Sequence, residues 1–130
     1  MNRSVSLGLT MLAGVAVGAT AITGLNAQTK PPAYVIINVS KMTDPEGFEA
    51  ILTNPGASPA GVAALGGRYV IRTTAPAALD GTPPERFVVI AFDSKEKAQA
   101  WFDSPETKET NAIRRKTTQS ISFIVEGVAN

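Results

Sequence analysis

Apolar and polar positions fall into two regimes along this chain. Residues 5–25 are almost unbroken apolar or small residues, V-S-L-G-L-T-M-L-A-G-V-A-V-G-A-T-A-I-T-G-L, and Arg3 is the one charged side chain before Lys30. Beyond that point, short β-branched runs alternate with stretches at helical spacing. Residues 33–40 (A-Y-V-I-I-N-V-S), set off by Pro31-Pro32, predict a first strand. Thr43-Asp44-Pro45-Glu46 predicts a helix start, because Thr43 and Glu46 stand at capping-box spacing and Pro45 suits an early helical position. Phe48, Ile51 and Leu52 give that helix its apolar stripe. Asn54-Pro55-Gly56 interrupts it, a second segment resumes at 59–65, and Gly66-Gly67 ends it. Residues 68–73 (R-Y-V-I-R-T) predict strand two, and a loop rich in Pro and Gly fills 75–85. Residues 86–92 (R-F-V-V-I-A-F) predict strand three. Asp93 and Glu96 repeat the capping spacing ahead of a stripe of Ala98, Trp101 and Phe102. Ser104-Pro105-Glu106 restarts helix, with Arg114, Arg115 and Lys116 late, where the helix dipole favours cations. Residues 120–126 (S-I-S-F-I-V-E) predict the last strand.

Strand, helix, strand, strand, helix, strand is the ferredoxin-like βαββαβ order: an α+β domain with a four-stranded antiparallel sheet and helices on one face. Side chains alternate across a strand, so Val35, Ile37 and Val39 oppose Tyr34, Ile36 and Asn38, and Val88, Ile90 and Phe92 oppose Phe87, Val89 and Ala91. Ile121, Phe123 and Val125 likewise oppose Ser122 and Ile124. Both faces are largely apolar, yet the helices cover one. Four strands at roughly 4.8 Å spacing and about 17 Å length present on the order of 300 Å² in projection. The accessible area is larger, at the limit of what monomers leave exposed. A second copy packed sheet to sheet about a two-fold axis is the expected cover, giving a barrel-like sandwich; the C-terminal tail or the 75–85 loop folded over that face is the alternative.

Composition narrows the chemistry. Against 11 Asp plus Glu there are 12 Lys plus Arg, with no His and no Cys. That excludes disulfides, thiolate nucleophiles, zinc fingers, iron–sulfur clusters and a Ser–His triad. The near-zero balance gives no electrostatic footprint for nucleic acid. No metal or cofactor is expected, since no carboxylate cluster has ligand spacing and Gly66-Gly67 precedes a strand instead of opening a helix. Arg3, the apolar run and Leu25-Asn26-Ala27 are the parts of a secretory signal peptide, with cleavage expected after Ala27. The organisation expected is therefore a signal peptide at 1–27, a short tether at 28–32 and one domain at 33–130. An exported protein, periplasmic or secreted, follows. The run is also long enough to span a bilayer, so an uncleaved anchor is the alternative, although its four Gly weaken it as a permanent span.

Gly66-Gly67-Arg68-Tyr69-Val70-Ile71-Arg72, then Leu79-Asp80-Gly81, Pro84-Glu85-Arg86 leading into V-V-I-A-F, and A-W-F-D-S-P-E at 100–106 together resemble the domain-of-unknown-function family DUF1330. The resemblance spans 34–127 and implies a ferredoxin-like fold and a homodimer of the dimeric α/β-barrel group, with no activity attached. Relatives in that wider group include cofactor-independent monooxygenases, isomerases and small binding proteins. Leu65 stands where members often carry His, and Ala91 where they often carry Glu, so two ionisable groups are missing here. Thr73-Thr74 replaces a frequent Gly pair.

Arg68, Arg72 and Arg86 are candidates for clamping a substrate carboxylate, because Arg presents a planar fork of donors. The family pattern places Arg at the latter two positions. The structural alternative is ion pairing with Glu85, Asp80, Asp103 or Glu106. Tyr69, Trp101 and Phe102 are candidates for lining a cavity around a planar ligand, or else belong to the core. Asn38, a polar residue in an apolar strand, either faces a pocket or ends the strand in solvent. Asp103 and Glu106 are read as capping groups of the following helix. Three functions remain open on these residues. One is a homodimer binding a small organic molecule, anionic or neutral, in an apolar pocket. The second is a cofactor-independent monooxygenase or isomerase that orients its substrate with Asn38, Tyr69, Trp101 and Arg72. The third is a non-catalytic interaction protein of the envelope.

Overall fold

The computed structural model describes residues 31–128. The apolar N-terminal run, the expected cleavage after Ala27 and residues 28–30 lie outside the described residues. From the tandem prolines the chain enters β1 (Ala33–Met42), whose buried positions alternate strictly through Val39. Asp44, not Thr43, caps α1 (Pro45–Leu52). Its carboxylate accepts from the Gly47 N–H at 3.1 Å while Pro45 takes the first turn. Thr43 instead donates its N–H to the Thr117 carbonyl at 2.9 Å, so its backbone is already committed. A 3₁₀ turn at Pro55–Ala57 and the short α2 (Pro59–Ala64), capped by Ser58, carry the chain back to the sheet.

Gly66 closes α2 at φ +88, an angle a Cβ disfavours. The next residue opens β2 (Gly67–Thr73) pressed against the sheet. A Cβ on Gly67 would lie 2.6 Å from the Phe92 ring and 2.9 Å from Val62. β3 (Arg86–Phe92) follows the Pro-rich loop and is the most buried strand. Ser94, not Asp93, caps α3 (Lys95–Asp103); Asp93 lies 3.4 Å from Lys97 as an exposed ion pair. Ser104 caps α4 (Pro105–Thr117), and its hydroxyl accepts from the Thr107 N–H. Asp103 instead accepts from Gln99 at 3.0 Å and plays no part in that cap, while Glu106 sits in the first turn as expected. α4 runs directly into β4 (Thr118–Glu126), which starts earlier than the hydrophobic run indicates. A register shift between Val39 and Lys41 lets Met42 pair with Thr118 and lengthens both strands.

The sheet order β2-β3-β1-β4 and its antiparallel pairings give the ferredoxin-like α+β fold with helices on one face. On the helix side Ala33, Val35, Ile37, Val39, Val88, Ile90 and Phe92 pack with Val62, Ala98 and Trp101 into the core. Registry on the other side sets an apolar row across all four strands, Ile71–Val89–Ile36–Phe123. Flanking it are Arg68–Ala91–Tyr34–Val125 and Thr73–Phe87–Asn38–Ile121. No described helix covers these rows. Val89 and Ala91 are buried by their neighbours alone, whereas Ile121 (61%), Ile71 (45%), Phe123 (43%) and Val125 (41%) remain exposed.

Candidate functional site

A cavity of about 240 Å³ lies between the helix side of the sheet and the helices above it. Ile37, Val39, Val88 and Ile90 form its base; Phe48, Ile51 and Leu52 of α1 and Ala57 to Pro59 form one wall, and Trp101, Thr110 and Arg114 another. Its volume is somewhat below the range for drug-sized ligands, which suits a small organic molecule.

Four of the seven candidates singled out from sequence line this cavity: Tyr69, Arg72, Arg86 and Trp101. A β-bulge brings the first two together. Tyr69 pairs with Ile90 and Ile71 with Val89, leaving Val70 as the extra residue, so Arg72 returns to the cavity side opposite Val88. Arg72 Cζ then lies 4.5 Å above the Tyr69 ring, within cation–π range. Arg86 enters from the first position of β3, its Cζ 5.3 Å from the Phe48 ring. Its neighbour Glu85 is turned away, accepting from the Met42 N–H at 2.5 Å. Burial lowers the Arg86 pKa, and the like charge of Arg72 lowers it further, against a smaller raising effect of Tyr69. Trp101 packs its ring 5.6 Å from Phe92 and 6.3 Å from Phe102, so it is core and cavity wall at once. Phe102 packs against the core without reaching the cavity.

Asn38 is the exception. Strict alternation in β1 puts it on the uncovered face, between Phe87 and Ile121, so it neither points into the cavity nor ends the strand. Its Oδ1 is buried without a hydrogen-bond partner, beside an open pocket of about 450 Å³ that Ser40 and Arg115 also line. The orienting set Asn38, Tyr69, Trp101 and Arg72 is therefore not assembled, because the sheet separates its first member from the rest.

Arg114 is the residue that sequence reasoning did not place in the site. Its position late in α4 reads as dipole compensation, yet the helix turns it inward, where it is 6% exposed. Nη2 donates to Asn111 Oδ1 at 2.8 Å, and Nε has no partner. Burial, and then the adjacent Arg115, pulls its pKa down to about 10. The signal was available in the spacing: Thr107, Thr110, Asn111, Arg114 and Thr117 make one face of α4 with no hydrophobic residue among them.

The polar groups in the cavity divide sharply. Tyr69 donates to the Ala57 carbonyl at 2.6 Å, Ser58 to Pro55 at 2.7 Å and Thr110 to Thr107 at 2.8 Å. No Asp or Glu lines it, and among the described residues none of Arg68, Arg72, Arg86 and Arg114 forms an ion pair. What remains is cationic or donor-only: Arg72 and Arg86 without a hydrogen-bond partner among the described residues, and the Arg114 Nε and Trp101 indole N–H, buried without an acceptor. Arg68 lies on the opposite face, level with Ala91.

A family model described as "Domain of unknown function (DUF1330)" matches residues 32–128. The chain belongs to the DUF1330 family. Solved structures similar to this DUF1330 chain include RPA0582 of Rhodopseudomonas palustris, a protein of unknown function. That match has 14% identity, covers 76% of this chain and 84% of that one, and has a TM-score of 0.57. Another is a dimeric ferredoxin-like protein of unknown function from Thermobifida fusca, at 17% identity, 75% and 92% coverage, and TM-score 0.53. A third is SnoaB, a cofactor-independent oxygenase from Streptomyces nogalater, at 14% identity, 77% and 96% coverage, and TM-score 0.47. At such identities the DUF1330 chain shares a fold with the first two proteins, and fold alone assigns no chemistry. No curated protein matches the chain.

Proposed function

We propose that this protein is a homodimer that binds a small organic anion in the cavity under its helices. The observation that carries the reading is the imbalance of that cavity: apolar walls, three guanidinium-bearing residues, and no carboxylate among the lining residues. Arg114, the one of the three that is buried, has no counter-ion, and an unpaired buried cation costs folding free energy. A ligand carboxylate offsets that cost through charge-assisted hydrogen bonds. The apolar face of Phe48, Ile51 and Val88 would take the hydrocarbon part of the same molecule.

The second copy answers the other side of the sheet. The apolar rows with exposed Ile71, Ile121, Phe123 and Val125 match the face that a sheet-to-sheet dimer would bury. The dimeric description of the Thermobifida fusca structure supports a dimer here. Export is part of the proposal, with residues 1–27 as the cleaved leader. N-terminal sequencing of protein from the periplasmic or culture fraction of a bacterial host should begin at Gln28; Met1 in a membrane pellet would overturn export by cleavage.

Thermal-shift and calorimetric titration of the purified chain with small aliphatic and aromatic carboxylates tests the binding reading. Stabilisation by carboxylates, and none by the matching amides, is the expected result. Arg72→Gln and Arg86→Gln should each weaken binding about tenfold, the order expected for losing one charge-assisted hydrogen bond. No stabilisation by any carboxylate at millimolar concentration would overturn the proposal.

A further inference from the structure

Strand register sets two of the cavity's guanidinium-bearing residues side by side. Arg72 pairs with Val88 across β2 and β3, and Arg86 stands two residues before Val88 on the same face of β3. Such diagonal cross-strand neighbours lie about 7–8 Å apart, within reach of two long side chains. Each guanidinium is backed by an aromatic ring, Arg72 by Tyr69 at 4.5 Å and Arg86 by Phe48 at 5.3 Å. Contact with a ring engages the face of a guanidinium and leaves its in-plane N–H groups for an acceptor. Neither Arg forms a hydrogen bond or an ion pair among the described residues, and the neighbouring Glu85 carboxylate accepts from the Met42 N–H instead. Arg114 adds a third cation to the same lining, which holds no carboxylate.

Resting on the binding reading above, we infer that the preferred ligand is a small phosphate monoester, its phosphate held by Arg72 and Arg86 together. A carboxylate has one charge and two oxygens, which a single guanidinium fork occupies in a bidentate contact. A phosphate monoester brings close to two charges and three terminal oxygens, enough to serve both forks at once. Two adjacent cations also repel each other, and a doubly charged head offsets both. Ile37, Val39, Val88 and Ile90 give its apolar body a hydrocarbon floor. Carboxylates still bind this site, but more weakly.

The experiment is calorimetric titration of the full chain, at fixed ionic strength, with phenyl phosphate, phenyl sulfate, benzoate and inorganic phosphate. Phenyl sulfate isolates the charge, because it has nearly the shape of phenyl phosphate and one charge fewer. At about pH 8, phenyl phosphate is expected to bind roughly tenfold tighter than each of the other three. At about pH 5, below the second ionisation of a phosphate monoester near pH 6, its advantage over phenyl sulfate should shrink to threefold or less. Arg72→Gln and Arg86→Gln should each shrink the same advantage at about pH 8, and Arg72→Lys should restore part of it by returning a cation. Equal affinity for phenyl phosphate and phenyl sulfate, with benzoate still bound, would overturn the phosphate head and leave anion binding standing. Inorganic phosphate bound as tightly as phenyl phosphate would overturn the apolar body. If none of the organic anions binds, the binding reading itself fails, and this inference fails with it.

Discussion

Arg114 is a cation that folding moves out of water, and its energetics set a testable sign. Its pKa falls from the ordinary guanidinium range to about 10, so the charged form is disfavoured in the folded chain relative to the unfolded one. The penalty is fully present below about pH 10 and fades above it, where the unfolded chain still holds the proton. Arg114→Met therefore should melt at or above the wild-type temperature at pH 7, with any gain shrinking above pH 10, although Asn111 loses one donor. A carboxylate ligand should raise the melting temperature of wild type more than that of the variant. A clear drop in the melting temperature of ligand-free Arg114→Met would contradict a strained buried charge. Gly67 sets the opposite kind of limit. The Cβ of Gly67→Ala would press into the Phe92 ring and Val62, a cost of about 1–3 kcal/mol. A thermal melt should show it as a fall of roughly 4–8 °C per kcal/mol.

Among the elements, β2 decides the site. In a regular strand Tyr69 and Arg72 would point to opposite faces, since side chains alternate. The extra residue Val70 returns Arg72 to the cavity side. Deleting Val70 should give a regular strand with both residues still facing the cavity, and carboxylate affinity should stay within about threefold. Inserting one alanine between Ile71 and Arg72 should send Arg72 to the uncovered face and weaken binding as much as Arg72→Gln. Calorimetry on the two variants separates these outcomes. The strand itself is legible in R-Y-V-I-R-T, because its β-branched and aromatic residues mark an extended segment. The bulge is not, because a bulge depends on pairing with a partner strand distant in sequence. The helix starts were legible to within a residue. Thr43 and Asp93 have the right chemistry, but the chain direction on leaving each strand gave the cap to Asp44 and Ser94.

At the scale of the whole molecule, the uncovered sheet face and the cavity are two consequences of one layer of helices over a sheet that is apolar on both sides. Ile121→Asp places a charge at one end of the row Thr73–Phe87–Asn38–Ile121, at a side chain exposed enough to tolerate it in a monomer. Light scattering should find wild type dimeric and the variant monomeric at micromolar concentration, with carboxylate binding retained because the cavity lies beyond the sheet. A monomeric wild-type chain would sink the dimer. Asn38 belongs to this scale. In the strand pattern it is an isolated polar residue, and the assembled sheet shows which of two faces it occupies.

The chain's own pattern determined the order of elements, the sheet and the surplus apolar face, because periodicity and capping chemistry act between near neighbours. It also marked Tyr69, Arg72, Arg86 and Trp101, through residue types that bind anions and planar groups. Tertiary structure decided which of these meet. It moved Asn38 away by strand parity, brought Arg72 in by a bulge, and turned Arg114 inward on a helix face whose polar residues gave no hydrophobic cue. Those choices depend on register and helix rotation, which are set by contacts between segments far apart in sequence.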